Sequence, residues 1–293
     1  MGTVETAPEI DVALIRRLVD DRFPQWAGPA LEEVRSGGLD HVIYRLGEGL
    51  AVRLPRRVGV AGHVRVEAEW LPRLAPALPL AVPVVVGVGE PGFGYPWPWA
   101  VSRWLDGEVA TVELLGDSVE AAGELARFLG ALHGFPVDHA DEGLAAWALA
   151  DRDRVTREGI AEVAGVFDAA AMTRVWDAAL DAPAWDRPPV LFHGDFHTGN
   201  LLMDGGRLSA VIDFGGLGAG DPACDLMIAF TLLGAEARAV FRETLAVDDA
   251  TWARGRGWAL ATGLNAYTYY AAVDDRIAAQ TRRQIHAALA DAP

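Results

Sequence analysis

The sequence predicts a mixed α+β protein, with strands gathered in the front third of the chain and helices behind them. Three observations predict it. Residues 31–35, 41–46 and 50–54 are short β-type runs joined by glycine turns; long stretches after residue 105 carry apolar side chains at helical spacing. Between residues 190 and 230, two further apolar runs each end in a cluster of polar groups. At 293 residues the chain is long enough for one large domain or for two lobes sharing a cleft.

Taken in order, residues 9–22 place Ile10, Leu14, Ile15 and Leu18 on one helical face and stop before Pro24. The three strands that follow are joined by Ser36-Gly37-Gly38 and Gly47-Glu48-Gly49, and Arg53 ends the third in L-A-V-R-L-P. Residues 63–78 read as a helix with Val66, Leu71, Leu74 and Leu78 as its apolar stripe. Glu67 and Glu69 sit at polar positions, and Pro72 is expected to kink or restart the helix. Residues 82–88 read as a buried strand, 89–98 as a turn-rich hairpin and 99–104 as a last strand, with Leu105-Asp106-Gly107 as a hinge. The helix over 117–132 is expected to start on Asp117 as N-cap, with Glu120 completing a capping box, and to stop at Gly134. His133 at its end reads as a packed or dipole-complementing residue. Residues 141–186 are mostly alanine-rich helix, in which Asp151, Asp153 and Glu158 are candidates to face an acceptor. The last fifty residues hold two or three more helices, with Asn265, Tyr267, Tyr269 and Tyr270 as further acceptor candidates.

The chemistry concentrates in VLFHGDFHTGNLLMDGGRLSAVIDFGGLGAGDPACDLMIAF. Residues 190–192 and 208–212 are the apolar runs; His193, Asp195, His197 and Asn200 follow the first and Asp213 the second. Asp195 and Asn200 stand in H-G-D-x-x-x-x-N and Asp213 opens a D-F-G, the order in which kinases place base and metal ligands. Moving a γ-phosphoryl group requires an acceptor hydroxyl held in line and the nucleotide's charge neutralised by Mg²⁺, which prefers carboxylate and amide oxygens. Asp195 would position and deprotonate the hydroxyl; Asn200 and Asp213 would hold the metal.

H-G-D-x-x-x-x-N, then I-D-F-G, then G-D-P-x-x-D-L, behind an S-G-G loop and a strand-end basic residue, is similar to the aminoglycoside phosphotransferase family. The resemblance spans nearly the whole chain. It implies a bilobal protein-kinase-like α+β fold: a small antiparallel-sheet lobe over residues 1–104 that binds nucleotide, and a larger, mainly helical lobe over 105–293 that binds the acceptor. Ser36, Gly37 and Gly38 would bring backbone amides to phosphate oxygens. Arg53 stands where the family usually has lysine, and the resemblance favours Glu69 over Glu67 as its partner. The nucleotide base would meet the Arg103 carbonyl and the Leu105 amide. Asp221 and Asp225 would brace the loops. The implied activity is transfer of phosphate from ATP or GTP to a small-molecule hydroxyl, that of an aminoglycoside, macrolide or nucleoside antibiotic or, alternatively, of a metabolite.

Composition bounds the partners. The chain has no lysine and a formal charge of -16, which argues against a nucleic-acid partner and favours cationic ligands. No apolar run is long enough to span a bilayer, and MGTVETAPEI has neither a basic nor an apolar leader segment, so a cytoplasmic enzyme is expected. Cys224 reads as a small buried side chain. Two rivals remain: a metal-dependent hydrolase using His193, Asp195 and His197, and a nucleotide-binding pseudokinase, suggested by the missing lysine.

Overall fold

The structure, a computed structural model, describes residues 9–34, 40–137, 144–272 and 274–290. It divides the chain into two compact units, Met1–Gly107 with Ala210–Gly215, and Glu108–Ser209 with Gly216–Pro293. The short return of residues 210–215 into the first unit carries the D-F-G segment with it.

In the first unit, helix α1 (Val12–Arg22) starts on Asp11, whose carboxylate accepts from the Leu14 amide at 2.7 Å. Its buried residues Leu14, Ile15, Leu18 and Val19 pack on a five-stranded antiparallel sheet of order β1-β2-β3-β5-β4. The strands are β1 (Leu31–Val34), β2 (His41–Leu46), β3 (Leu50–Pro55), β4 (Val85–Gly89) and β5 (Trp99–Arg103). Because side chains alternate across a strand, Val42, Tyr44, Leu46, Val52, Leu54 and Val101 enter the core beneath α1. The same alternation turns His41, Ile43, Ala51 and Arg53 to the other face, with Ile43 paired to Arg53 and His41 to Pro55.

Helix α2 (His63–Leu74) runs through Pro72 without the expected restart. Pro72 lies in its last turn, where only one amide bond is lost, and the Ala75 amide still reaches the Leu71 carbonyl at 2.9 Å. Its buried stripe is Val64, Glu67, Leu71 and Leu74, with Trp70 alongside. Of the expected stripe, Leu71, Leu74 and Leu78 are buried, while Val66 gives way to Val64 and Glu67.

The second unit is mainly helical. After β6 (Glu108–Val109) and α3 (Val112–Leu115), helix α4 (Val119–His133) is capped by Ser118, whose hydroxyl accepts from the Ala121 amide at 3.1 Å. The expected cap, Asp117, sits one residue too early to reach that amide. Then come α5 (Asp153–Glu162), α6 (Ala169–Asp181), β7 (Val190–Phe192), β8 (Leu201–Asp204) and β9 (Arg207–Val211). β10 (Gly218–Gly220), α7 (Ile228–Thr231), α8 (Ala235–Leu245), α9 (Asp249–Tyr270) and α10 (Asp275–Ala290) complete it. β7 pairs with β10, and β8 lies between β6 and β9.

Helix α9 is buried over most of its first four turns and packs against α5, α6, α10 and the tight turn of residues 222–227. Glycine makes that approach possible. A methyl group at Gly255 would come within 2.6 Å of the Leu226 side chain, and one at Gly257 within 2.5 Å of the Ala179 methyl. Among the described residues no helix is long and apolar enough to cross a membrane.

Candidate active site

Strand β7 delivers the chain into His193-Gly194-Asp195, and a buried carboxylate fixes the turn. Asp225, fully buried, accepts from the His193 amide at 2.9 Å and the Gly194 amide at 2.8 Å, and pairs with His133 Nε2 at 3.0 Å. Gly194 has a φ of +83°, and a Cβ there would stand 2.3 Å from the Gly216 carbonyl oxygen, so no other residue fits. His193 Nδ1 accepts from the Asp195 amide at 3.2 Å, and His197 Nδ1 accepts from the Gly199 amide at 3.0 Å. Each histidine therefore spends one ring nitrogen on holding its own turn. Among the described residues no group of three or more His, Cys, Asp or Glu side chains could hold a metal ion.

Asp195 projects outward from this frame. The Asn200 amide nitrogen donates to its backbone carbonyl at 2.8 Å and to its carboxylate at 3.2 Å, and His197 Nε2 lies 3.5 Å away. The surrounding protein strips water from the carboxylate and disfavours its charge, but His197, His193 and the Asn200 amide outweigh that and bring its pKa down to about 2. The group is a carboxylate at any physiological pH. Asn200 thus commits its side-chain nitrogen to Asp195.

In the first unit, β9 leads through Ile212 into Asp213, which has a left-handed backbone at φ +63°, followed by fully buried Phe214. A non-glycine residue in that region carries strain of the kind that gathers at functional positions, and Asp tolerates it better than most. Asp213 Oδ1 accepts from Arg53 Nη2 at 2.5 Å. On its other side Arg53 Nη1 donates to Glu67 Oε1 at 2.7 Å. Burial raises the Glu67 carboxyl above the usual range against the pull of Arg53, while for Arg53 the two carboxylates overcome burial and raise its pKa. The guanidinium stays charged throughout.

The expected partner of Arg53 was Glu69, and the structure corrects it to Glu67. Two residues on a helix are about 200° apart, so when Glu67 faces the sheet Glu69 must face solvent, where it is exposed. His41 was missed altogether. Its Nδ1 lies 3.1 Å from Arg53 Nη2, and the signal that would have found it is the hairpin register, which makes the two diagonal neighbours on one face.

The other expected residues fall as follows. Arg103 pairs with Leu50, on the face opposite Arg53, and its side chain lines an open groove of about 390 Å³ with Trp26, Gly49, Leu50, Val86 and Trp104. Only its backbone remains a candidate for the nucleotide base. Ser36, Gly37 and Gly38 lie outside the described residues. Asp221 caps the turn after it and takes a two-point bond from Arg254, at 2.6 and 3.1 Å. Asp153 is held by Trp176 and Arg157, and Tyr267 packs on Phe167 and accepts from Arg282, so these acceptor candidates have structural roles. Cys224 is buried, and burial raises its thiol well above the usual value, which keeps it inert.

An antiparallel sheet bearing a basic side chain clamped by a helix carboxylate and a D-F-G aspartate, with a helical unit bearing a braced H-G-D loop, defines a kinase-like phosphotransferase. The chain belongs to the phosphotransferase enzyme family, whose model matches residues 31–258. Among solved structures it is similar to the GDP and kanamycin complex of APH(2")-IIIa, with 20% identity over 95% of this chain and 99% of that one and a TM-score of 0.75. The apoenzyme of macrolide 2'-phosphotransferase MphH from Brachybacterium faecium matches at 25% identity, over 98% and 99% of the two chains, with a TM-score of 0.63. The streptomycin–ATP–APH(2")-IIa ternary complex matches at 17% identity, over 96% and 99%, also at 0.63. No curated protein matches the chain.

Proposed function

We propose that this phosphotransferase moves the γ-phosphoryl group of ATP or GTP to a hydroxyl of a small-molecule antibiotic, with Mg²⁺ and with Asp195 orienting the acceptor. The observation that carries the reading is an ionised carboxylate, aimed by Asn200 and His197, at the tip of a loop bonded to a buried aspartate. The relatives supply the substrate class: among those of this fold, one is complexed with GDP and kanamycin, one with ATP and streptomycin, and one is a macrolide phosphotransferase.

The donor groups fit Mg²⁺. Asp213 offers a carboxylate on a strained, partly exposed turn, and Asn200 an amide oxygen that takes none of the bonds to Asp195, the hard oxygen ligands this ion prefers. An ion held by such ligands would neutralise charge on the nucleotide phosphates.

In the reaction the acceptor oxygen forms a bond to the γ-phosphorus as the bond to the bridging oxygen breaks, and the electron pair leaves with the nucleoside diphosphate. A carboxylate with a pKa of about 2 is a weak base. It orients the hydroxyl by accepting its hydrogen bond and takes the proton only once the new bond has lowered the hydroxyl's pKa, as suits a loose transition state. Arg53 stabilises the transferring charge in the place of the family's lysine. A nucleoside triphosphate donor supports the reading of a cytoplasmic enzyme.

Purified protein should be assayed against aminoglycosides, macrolides and nucleoside antibiotics, with coupled detection of ADP and GDP and mass spectrometry of the acceptor. A phosphorylated antibiotic is expected. Phosphorylation of metabolites alone would replace the antibiotic by a metabolic acceptor, and nucleotide binding without transfer to any acceptor would favour the pseudokinase.

A further inference from the structure

An arginine in place of a lysine at a phosphate site raises a geometric problem. An ammonium is compact and can direct any of three hydrogens at a phosphate, whereas a guanidinium works only when its plane is held. Here three acceptors hold it: Glu67 on Nη1, and Asp213 and His41 on Nη2. Asp213 is also the carboxylate assigned to the metal, so it cannot be a constant anchor. Glu67 alone leaves the plane free to turn about one bond.

His41 has the properties of the missing anchor. It is 7% exposed, and it lies on β2 diagonally across from Arg53. Since a guanidinium can only donate, Nδ1 must be the unprotonated nitrogen, which puts the ring's proton on Nε2. Nε2 is buried and has no partner among the described residues. An apolar side chain at position 41 would avoid that unmet donor, so the Arg53 contact is what a histidine adds at this position. Burial and the Arg53 charge also depress the imidazole pKa to about 3, so the ring stays neutral and does not repel the guanidinium. The other titratable groups facing it are Asp213, Asp40 and His63.

We propose that His41 is a positioning residue for the phosphate-binding arginine, a neutral acceptor that fixes the Arg53 guanidinium plane together with Glu67. This rests on the phosphotransferase reading above. Buried Nε2 keeps His41 from touching the nucleotide itself, and its action passes through Arg53. The pairing serves this chain's arginine, whose planar fork works only when its plane is held.

The test compares His41→Asn, whose amide oxygen can stand where Nδ1 stands, with His41→Leu, which removes the acceptor and the unmet donor together. The KM for nucleotide should rise about 10-fold or more in His41→Leu, the loss of a hydrogen bond to a charged group, while His41→Asn stays within about 3-fold of wild type. His41→Leu should keep or raise the melting temperature. In an Arg53→Lys background, His41→Leu should have no further effect. Equal defects in His41→Asn and His41→Leu, or the same defect in both backgrounds, would overturn the proposal. A nitrogen-15 imidazole spectrum supplies a readout that needs no turnover: His41 should show a bare Nδ1, changed by Arg53→Ala. A protonated Nδ1 would overturn the positioning role and leave the phosphotransferase reading standing, whereas a wild-type protein that binds no nucleotide would overturn both.

Discussion

Arg53 and the carboxylates around it form one coupled unit, and the substitutions that probe it should not add. Arg53→Ala removes a charge-assisted fork and is expected to weaken nucleotide binding by about 1.5–3 kcal/mol, with Arg53→Lys restoring part of the loss. Glu67→Ala should resemble Arg53→Ala, and the double variant should cost less than the two losses summed, because both act on one guanidinium. Glu69→Ala, on the exposed face of α2, should change nucleotide affinity by less than about 0.5 kcal/mol. Titration calorimetry with these five variants decides it, and a defect in Glu69→Ala equal to that in Glu67→Ala would restore the original pairing. Asp195→Asn should leave nucleotide affinity nearly unchanged and lower kcat by about 10²- to 10⁴-fold. Retention of more than about a tenth of wild-type kcat would remove Asp195 from the reaction.

At the scale of elements, what the sequence made legible was whatever its local rules determine. The H-G-D, D-F-G and G-D-P segments were readable because strand ends and tight turns demand particular residues, and Gly194 and Asp225 show why each is there. In α2 the expected Leu71 and Leu74, with Leu78 just beyond it, are buried, but the helix's first turns were not readable: Val64 and Glu67 take the buried side in place of Val66, and a buried glutamate among apolar residues is recognisable only once Arg53 is known to face it. His41 was hidden for a related reason, since a cross-strand diagonal exists only after register is assigned. Helix α9 offers a test of capping at the same scale. Asp248 accepts from the Thr251 amide at 2.7 Å, and that bond, with Arg187 and Arg254 nearby, lowers its pKa below the usual carboxylate value. A lowered folded-state pKa contributes stability above the unfolded value, near 3.9, that is lost as pH falls through the folded one. Asp248→Ala should cost about 0.5–2 kcal/mol at neutral pH, whereas Asp248→Asn, also a good cap, should cost far less. The gap between wild type and Asp248→Asn should close as the pH is taken below about 4, measured by urea unfolding. A gap that persisted there would mean that the carboxylate's charge contributes nothing to the cap.

For the whole molecule, the formal charge of -16 on a chain without lysine sets a field that any charged acceptor must cross. Antibiotics differ in this respect: aminoglycosides carry several positive charges at neutral pH, and macrolides carry about one. If the acceptor is a polycation, its capture is electrostatically steered, and kcat/KM for the acceptor should fall about 10-fold or more as salt rises from about 0.01 M to 0.15 M, where the Debye length shrinks from roughly 30 Å to 8 Å. For a singly charged acceptor the fall should be severalfold smaller. The nucleotide supplies an internal control. An anionic donor approaching the same protein is repelled in the far field, so its kcat/KM should rise or stay level over the same range unless Arg53 and bound Mg²⁺ dominate locally, and the two substrates should therefore respond with opposite or clearly different slopes. Steady-state kinetics with each substrate varied in turn, at fixed free Mg²⁺ and four salt concentrations, measures both slopes. Parallel slopes for a polycationic acceptor and for nucleotide would show that the acidic surface does not steer substrates, leaving solubility as the role of the charge.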